Sequence, residues 1–107
     1  MATFTIKQGD TLPTLVATLK NPLGVPVNLT NSTVTFRMAD INGTVKISSA
    51  VTEVDFSNGR VSYIWSESDT AEAGNFRAEF EVVNEQGKKE TYPNTQPITI
   101  SIVRDTV

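Results

Sequence analysis

The stretch Asp69-Thr70-Ala71-Glu72-Ala73-Gly74-Asn75-Phe76-Arg77-Ala78-Glu79-Phe80-Glu81-Val82 decides the fold of this chain. A polar, glycine-bearing corner passes directly into strict alternation. Phe76, Ala78, Phe80 and Val82 fall on one face, and Arg77, Glu79 and Glu81 on the other. That is the pattern of a strand with one dry side and one wet side.

Working outward, the same period recurs along the chain. Thr3 to Lys7 reads as a first strand with Phe4 and Ile6 on one face, ended by Gln8-Gly9-Asp10-Thr11. Thr14 to Lys20 places Leu15, Ala17 and Leu19 together, and Asn21-Pro22-Leu23-Gly24 is a turn. Val25 to Leu29 is extended, and its internal Pro26 predicts an edge position. Thr33 to Ala39 points Val34, Phe36 and Met38 inward. Asn42-Gly43 and Asn58-Gly59 carry the chemistry of two-residue hairpins, in which both corner residues take positive φ. Between them, Val45 to Phe56 slips phase between Val51 and Val54, which predicts a bulge or a break. Val61, Tyr63 and Trp65 share a face, as do Ile98, Ile100 and Ile102 in the last strand. Glu85-Gln86-Gly87 turns into a strand from Lys88 to Tyr92. Ser66 to Ala73 has room for one short helical turn at the corner.

Seven to nine short strands with regular turn signals predict an all-β chain, an immunoglobulin-like antiparallel β-sandwich occupying residues 1–107 as one domain. The corner at Asp69 then opens a late strand of that sandwich. Phe76 stands near where such folds often carry a tyrosine whose hydroxyl bonds the backbone. Phenylalanine has no hydroxyl, so packing is expected to hold the corner, with Asp69 or Thr70 capping a local turn. Trp65 is expected in the core, and Tyr92, next to Pro93 and outside the clean alternation, is the aromatic expected at the surface.

Composition narrows the chemistry. The 107 residues contain no cysteine and no histidine. Disulfides, thiolate nucleophiles, zinc–thiolate sites, the commonest general base and the commonest transition-metal ligand are thereby removed. A net charge of −3 without a basic stripe argues against nucleic acid. No apolar run reaches the length of a membrane helix, and the N-terminus lacks the pattern of a signal peptide. No cofactor or metal is expected. Asp40-Ile41-Asn42-Gly43-Thr44 has too few oxygen ligands for a calcium loop. The three Asn-x-Ser/Thr sequons, at Asn28, Asn31 and Asn42, have no secretory route to give them meaning. Glu79 and Glu81, roughly 7 Å apart on one strand face, overlap the carboxyl spacing of an inverting glycosidase. A solvated face neutralised by Arg77 is the simpler reading. Gln8, Asp10 and Thr11 in one irregular segment, and Glu90, Tyr92 and Pro93 in another, are the candidate interface residues. The first strand and Val25 to Leu29 are candidate edges for strand addition by a neighbour.

Several segments together resemble a known family. They are Phe4 to Pro13, Pro26 to Thr30, Val34 to Met38, Gly59 to Trp65, Asp69-Thr70, Gly74 to Phe80 and Glu90 to Asn94. In this order and spacing the chain is similar to the N-terminal domain of the phage baseplate upper protein (BppU) family, an immunoglobulin-like module of tailed-phage virions. The resemblance covers nearly the whole chain. It implies a non-enzymatic structural role in a virion, made in the host cytoplasm, docking tail, baseplate or host-recognition proteins through protein–protein contacts. Other phage structural proteins are the implied partners, and particle symmetry implies a homo-oligomer. Family members usually continue beyond this domain, whereas this chain stops at Val107. An excised domain and a stand-alone virion protein both fit, and the second admits a capsid decoration (cement) protein. A carbohydrate-binding host-attachment module is the rival class, and it would need exposed aromatics at Tyr92 or Trp65.

Overall fold

The computed structural model describes residues 3–93 and 98–105. Among them are nine strands: β1 (Thr3–Lys7), β2 (Leu15–Thr18), β3 (Thr33–Ala39), β4 (Val45–Ala50), β5 (Glu53–Asp55), β6 (Arg60–Tyr63), β7 (Gly74–Val83), β8 (Lys89–Tyr92) and β9 (Ile98–Val103). They form two facing sheets. A six-stranded sheet runs β1-β9-β7-β3-β4 with β8 also on β7, and a three-stranded sheet runs β2-β6-β5. The spatial order matches an immunoglobulin sandwich, with β2, β6 and β5 standing as strands B, E and D and β9, β7 and β3 as G, F and C.

The expected alternation is realised. Phe76, Ala78, Phe80 and Val82 of β7 are buried together with Val34, Phe36 and Met38 of β3 and Ile98, Ile100 and Ile102 of β9. From the smaller sheet come Leu15, Val61 and Tyr63. Phe36 lies at the centre, its ring 4.5 Å from Tyr63, 5.6 Å from Trp65 and 5.4 Å from Phe80. These aromatics bridge the sheets where antibody domains use a disulfide. Trp65 is 2% exposed, as a core residue should be. Its indole Nε1 has no hydrogen-bond partner among the described residues.

The phase slip after Val51 marks a change of sheet: β4 ends on β3, and β5 begins on β6. Four expectations need correction. First, β1 pairs with β9 in parallel, so the sandwich is not wholly antiparallel. Second, Val25 to Leu29 forms no strand, only a bridge from Pro26 to Lys20. Third, Asn42-Gly43 is not a two-residue hairpin, because only Gly43 has positive φ. The turn instead belongs to Asp40: its backbone closes on Gly43 and Thr44, and its Oδ1 accepts from the Asn42 and Thr44 amides. Asn21 and Asn84 build the same turn with Gly24 and Gly87. The side-chain oxygen mimics a backbone turn, and glycine supplies the left-handed residue that follows. Fourth, Asn58-Gly59 ends a short 3-10 turn over Phe56–Asn58, with Gly59 as its left-handed cap.

Candidate interaction site

The two candidate interface segments are placed by what pairs with β7. Its first half pairs with β9, from Gly74 opposite Ile102 to Ala78 opposite Ile98. Its second half pairs with β8, from Phe80 opposite Tyr92 to Val83 opposite Lys89. The loop after β1 therefore sits at the Gly74 end, and Glu90 sits opposite Val82. Eight residues of strand separate them, roughly 27 Å. They do not converge on one site.

At the first end, Gln8 is a strut. Its amide nitrogen donates to the Val103 carbonyl at 2.8 Å, its Nε2 donates to the Ala71 carbonyl at 2.7 Å, and its Oε1 accepts from the Asp105 amide at 3.4 Å. Gly9 donates to the Thr70 carbonyl. The Thr70 hydroxyl, 0% exposed, donates to the Asp10 carbonyl at 2.8 Å. The side chains of Asp10 and Thr11 are left at the surface beside Leu12, which is 67% exposed.

The corner behind this loop is held by hydrogen bonds as well as packing. Tyr63 donates its hydroxyl to Asp69 Oδ2 at 2.6 Å, and the same oxygen accepts from the Ser66 amide at 2.9 Å. Burial, then the hydrogen bond to Asp69 and that carboxylate's charge, push the Tyr63 hydroxyl well above its ordinary ionisation range. A tyrosine does tie this corner, but it comes from β6 rather than β7. The signal was present in the sequence: Tyr63 shares the inward face with Trp65, just before the Asp69 turn.

At the second end, Glu90, Thr91 and Tyr92 lie within β8, not in a loop, and Pro93 follows it. The expectation that Tyr92 is exposed is overturned, because pairing opposite Phe80 turns its ring into the core at 3% exposure. Its hydroxyl donates to Glu90 Oε1 at 2.7 Å. Burial first, then Glu90, push its pKa up to about 12. Pro93 had obscured this, since it makes the strand look finished before its inward tyrosine.

Between the two ends lies the outward face of the six-stranded sheet. Glu79 and Glu81 are both here, yet Glu81 is neutralised by Arg37 of β3 at 3.2 Å, not by Arg77. Asp40, the remnant of the calcium motif, is occupied by its own turn and lies 4.0 Å from Lys46. The described residues contain no cluster of three acidic, histidine or cysteine side chains able to hold a metal ion. An open groove of about 690 Å³ is lined by Phe4, Leu15, Leu19, Lys20, Tyr92 and Ile98 among others.

No curated protein matches the chain. The crystal structure of CopC from Methylosinus trichosporium OB3b is similar over 100% of this chain and 89% of that one, with TM-score 0.57 and 9% identity. At that identity the likeness speaks for the sandwich alone. The sequence carries a more specific relationship: the model of the BppU N-terminal domain matches residues 2–107, and the chain belongs to that family.

Proposed function

We propose that this chain is a non-enzymatic structural component of a tailed-phage particle, docking neighbouring tail or baseplate proteins through rigid surfaces. The observation that carries this reading is family membership across residues 2–107. The site inventory agrees with it. The paired carboxylate face, the one catalytic constellation the spacing suggested, is tied by Arg37. Among the described residues no helix is long and apolar enough to cross a membrane.

Asp10 and Thr11 at one end, and Glu90 and Pro93 at the other, are the contact residues in this reading. Gln8 and Tyr92 position them from behind. Because the two groups lie at opposite ends of β7, they serve different neighbours. Repeated copies on a symmetric particle would add many weak contacts into a strong attachment. The capsid-decoration reading uses the same surfaces on a different part of the particle. The carbohydrate-binding reading loses its aromatics, since Trp65 and Tyr92 are both buried.

The test is to purify particles from a host expressing the chain and to locate it by immunogold electron microscopy. Label at the tail end is the expected result. Label over the head supports the decoration reading, and a chain absent from washed particles ends the structural reading altogether.

A further inference from the structure

We propose that the outward face of the six-stranded sheet is the principal docking surface and that its occupant is an acidic face of a different protein; this rests on the docking reading above. Area is the first argument. The sheet is five strands wide at about 4.8 Å each, and β7 is ten residues long. The face is about 34 Å long at β7 and shorter on its flanks, where the strands have four to seven residues, so it covers about 600 Å², most of the ~800 Å² that one partner contributes to a standard interface. The outward face of the smaller sheet, three strands of three to four residues, covers only about 200 Å².

Charge is the second argument. In a chain of net charge −3, this face carries four cations, Lys7, Arg37, Arg77 and Lys89, and two carboxylates, Glu79 and Glu81. Glu81 is already held by Arg37. Arg77 makes no ion pair among the described residues. Its register neighbours, Ala39 and Thr99, are short, and it borders a shallow recess of about 310 Å³ shared with Arg37, Gly43, Val45 and Glu79, in which the two guanidinium groups outnumber the one carboxylate. An exposed guanidinium beside a recess presents the planar donor fork that takes a carboxylate in two hydrogen bonds. A second copy laid on the same face by a two-fold axis would bring like charges together, which disfavours self-pairing.

The remaining surface of the face suits burial. Between the charges it is largely threonine and serine, and β-branched threonine has little side-chain freedom to lose on docking.

Zero-length carbodiimide coupling on purified particles tests this, because it joins an amine directly to a touching carboxylate. Lys7 and Lys89 should couple to aspartate or glutamate of another polypeptide. The double variant Arg77→Glu, Lys89→Glu should lower incorporation into particles by about tenfold or more, as like charges across an interface reject the partner. Arg60→Glu, on the smaller sheet, should leave incorporation within about twofold. Thermal melting of each isolated variant checks that its fold survives. If the double variant unfolds, Arg77→Gln, which removes the charge without reversing it, must still lower incorporation. Coupling of Lys7 or Lys89 only to a second copy of this chain would overturn the choice of occupant. Normal incorporation of the folded double variant, or loss with Arg60→Glu instead, would overturn the choice of face. Absence of the unaltered chain from particles would instead defeat the docking reading on which the proposal stands.

Discussion

Gly59→Ala separates two reasons for a glycine and puts a magnitude on each. Gly59 caps the 3-10 turn at φ 66°, where an L side chain costs about 1–2 kcal/mol. A Cβ there would also lie 2.6 Å from the Val27 carbonyl oxygen, 2.8 Å from the Leu19 carbonyl oxygen and 3.0 Å from the Val27 nitrogen. All three are backbone atoms, so no rotamer change relieves the overlap. The backbone has to move, and that motion stretches the Leu19 to Gly59 and Val27 to Leu19 hydrogen bonds, now 2.7 and 2.8 Å. Overpacking of this kind costs about 1–3 kcal/mol, and a weakened hydrogen bond adds about 1 kcal/mol. The expected total is about 3–6 kcal/mol, a large share of the ~5–15 kcal/mol typical of a domain. Gly43→Ala is the control, because Gly43 has φ +88° but nothing within 4 Å of a built Cβ. Only the conformational cost of about 1–2 kcal/mol applies there. At about 4 °C per kcal/mol for a chain of this size, Gly59→Ala should lower Tm by roughly 12–24 °C and Gly43→Ala by roughly 4–8 °C. Calorimetry or circular dichroism reads both. Equal shifts in the two variants would refute the close-approach argument.

Other consequences follow from individual hydrogen bonds and from burial. Thr70→Val keeps the shape of a buried side chain but removes the donor to the Asp10 carbonyl. It should cost about 1–3 kcal/mol in urea unfolding, and an unchanged midpoint would show that the bond contributes nothing. Tyr63 and Tyr92 both ionise above the ordinary tyrosine range in the folded state, Tyr92 near pH 12. A raised folded pKa gives stability that is complete below the unfolded value of about 10 and is lost as pH rises through the folded value. Absorbance at 295 nm should therefore stay flat through pH 10 to 11 and rise only with alkaline unfolding; a titration centred near 10 in the folded protein would contradict both burials. Trp65, at 2% exposure, should resist acrylamide quenching and show no response to cell-wall saccharides. A saturable change with any sugar would restore the carbohydrate reading.

How much of this was legible in the sequence depends on the range of the interaction that decides each feature. Alternation is local, so β1, β3, β7 and β9 and their inward residues could be read directly. The turns were half legible. Asn42-Gly43 looks like a two-residue hairpin when only the dipeptide is considered, yet the controlling residue is Asp40, two positions earlier. The repeated pattern Asn21-x-x-Gly24, Asp40-x-x-Gly43 and Asn84-x-x-Gly87 carried that information. The phase slip after Val51 announced a break but not its destination, because nothing near Val51 specifies which sheet receives β5. Parallel pairing of β1 with β9 joins residues more than ninety positions apart and leaves no local trace. Tyr92 was misplaced for the same reason: its burial comes from Phe80 across the sheet, while the proline beside it suggested a loop. Of the interface candidates, Gln8 and Tyr92 are engaged from within the fold, whereas Asp10, Thr11, Glu90 and Pro93 lie at the surface.

The hydrogen bonding of the turns favours a face over loops as the principal docking element. Recognition by loops requires polar side chains whose donors and acceptors are available at the tips. In this chain Asn21, Asp40 and Asn84 each direct Oδ1 back onto two amides of their own turn. Gln8 is engaged at both ends of its amide, and Asp69 is taken by Tyr63 and Ser66. Releasing any of these to a partner would give up a net hydrogen-bond contribution of about 0.5–1.5 kcal/mol each, and more for the part-buried Tyr63 hydroxyl. Apart from the Arg37–Glu81 pair, the outward sheet face has no such obligation among the described residues. Its backbone groups are satisfied by strand pairing on both sides of β3, β7 and β9, so its side chains can meet a neighbour without cost to the fold. The ten-residue length of β7 makes that face continuous, because one strand carries both β8 and β9 along a single edge. A shorter β7 would split the sheet into two small patches. Truncating β8 pairing, for instance with Thr91→Pro, should therefore weaken docking along with stability, and weakened stability with undiminished docking would mean that the contact lies on the β9 half alone.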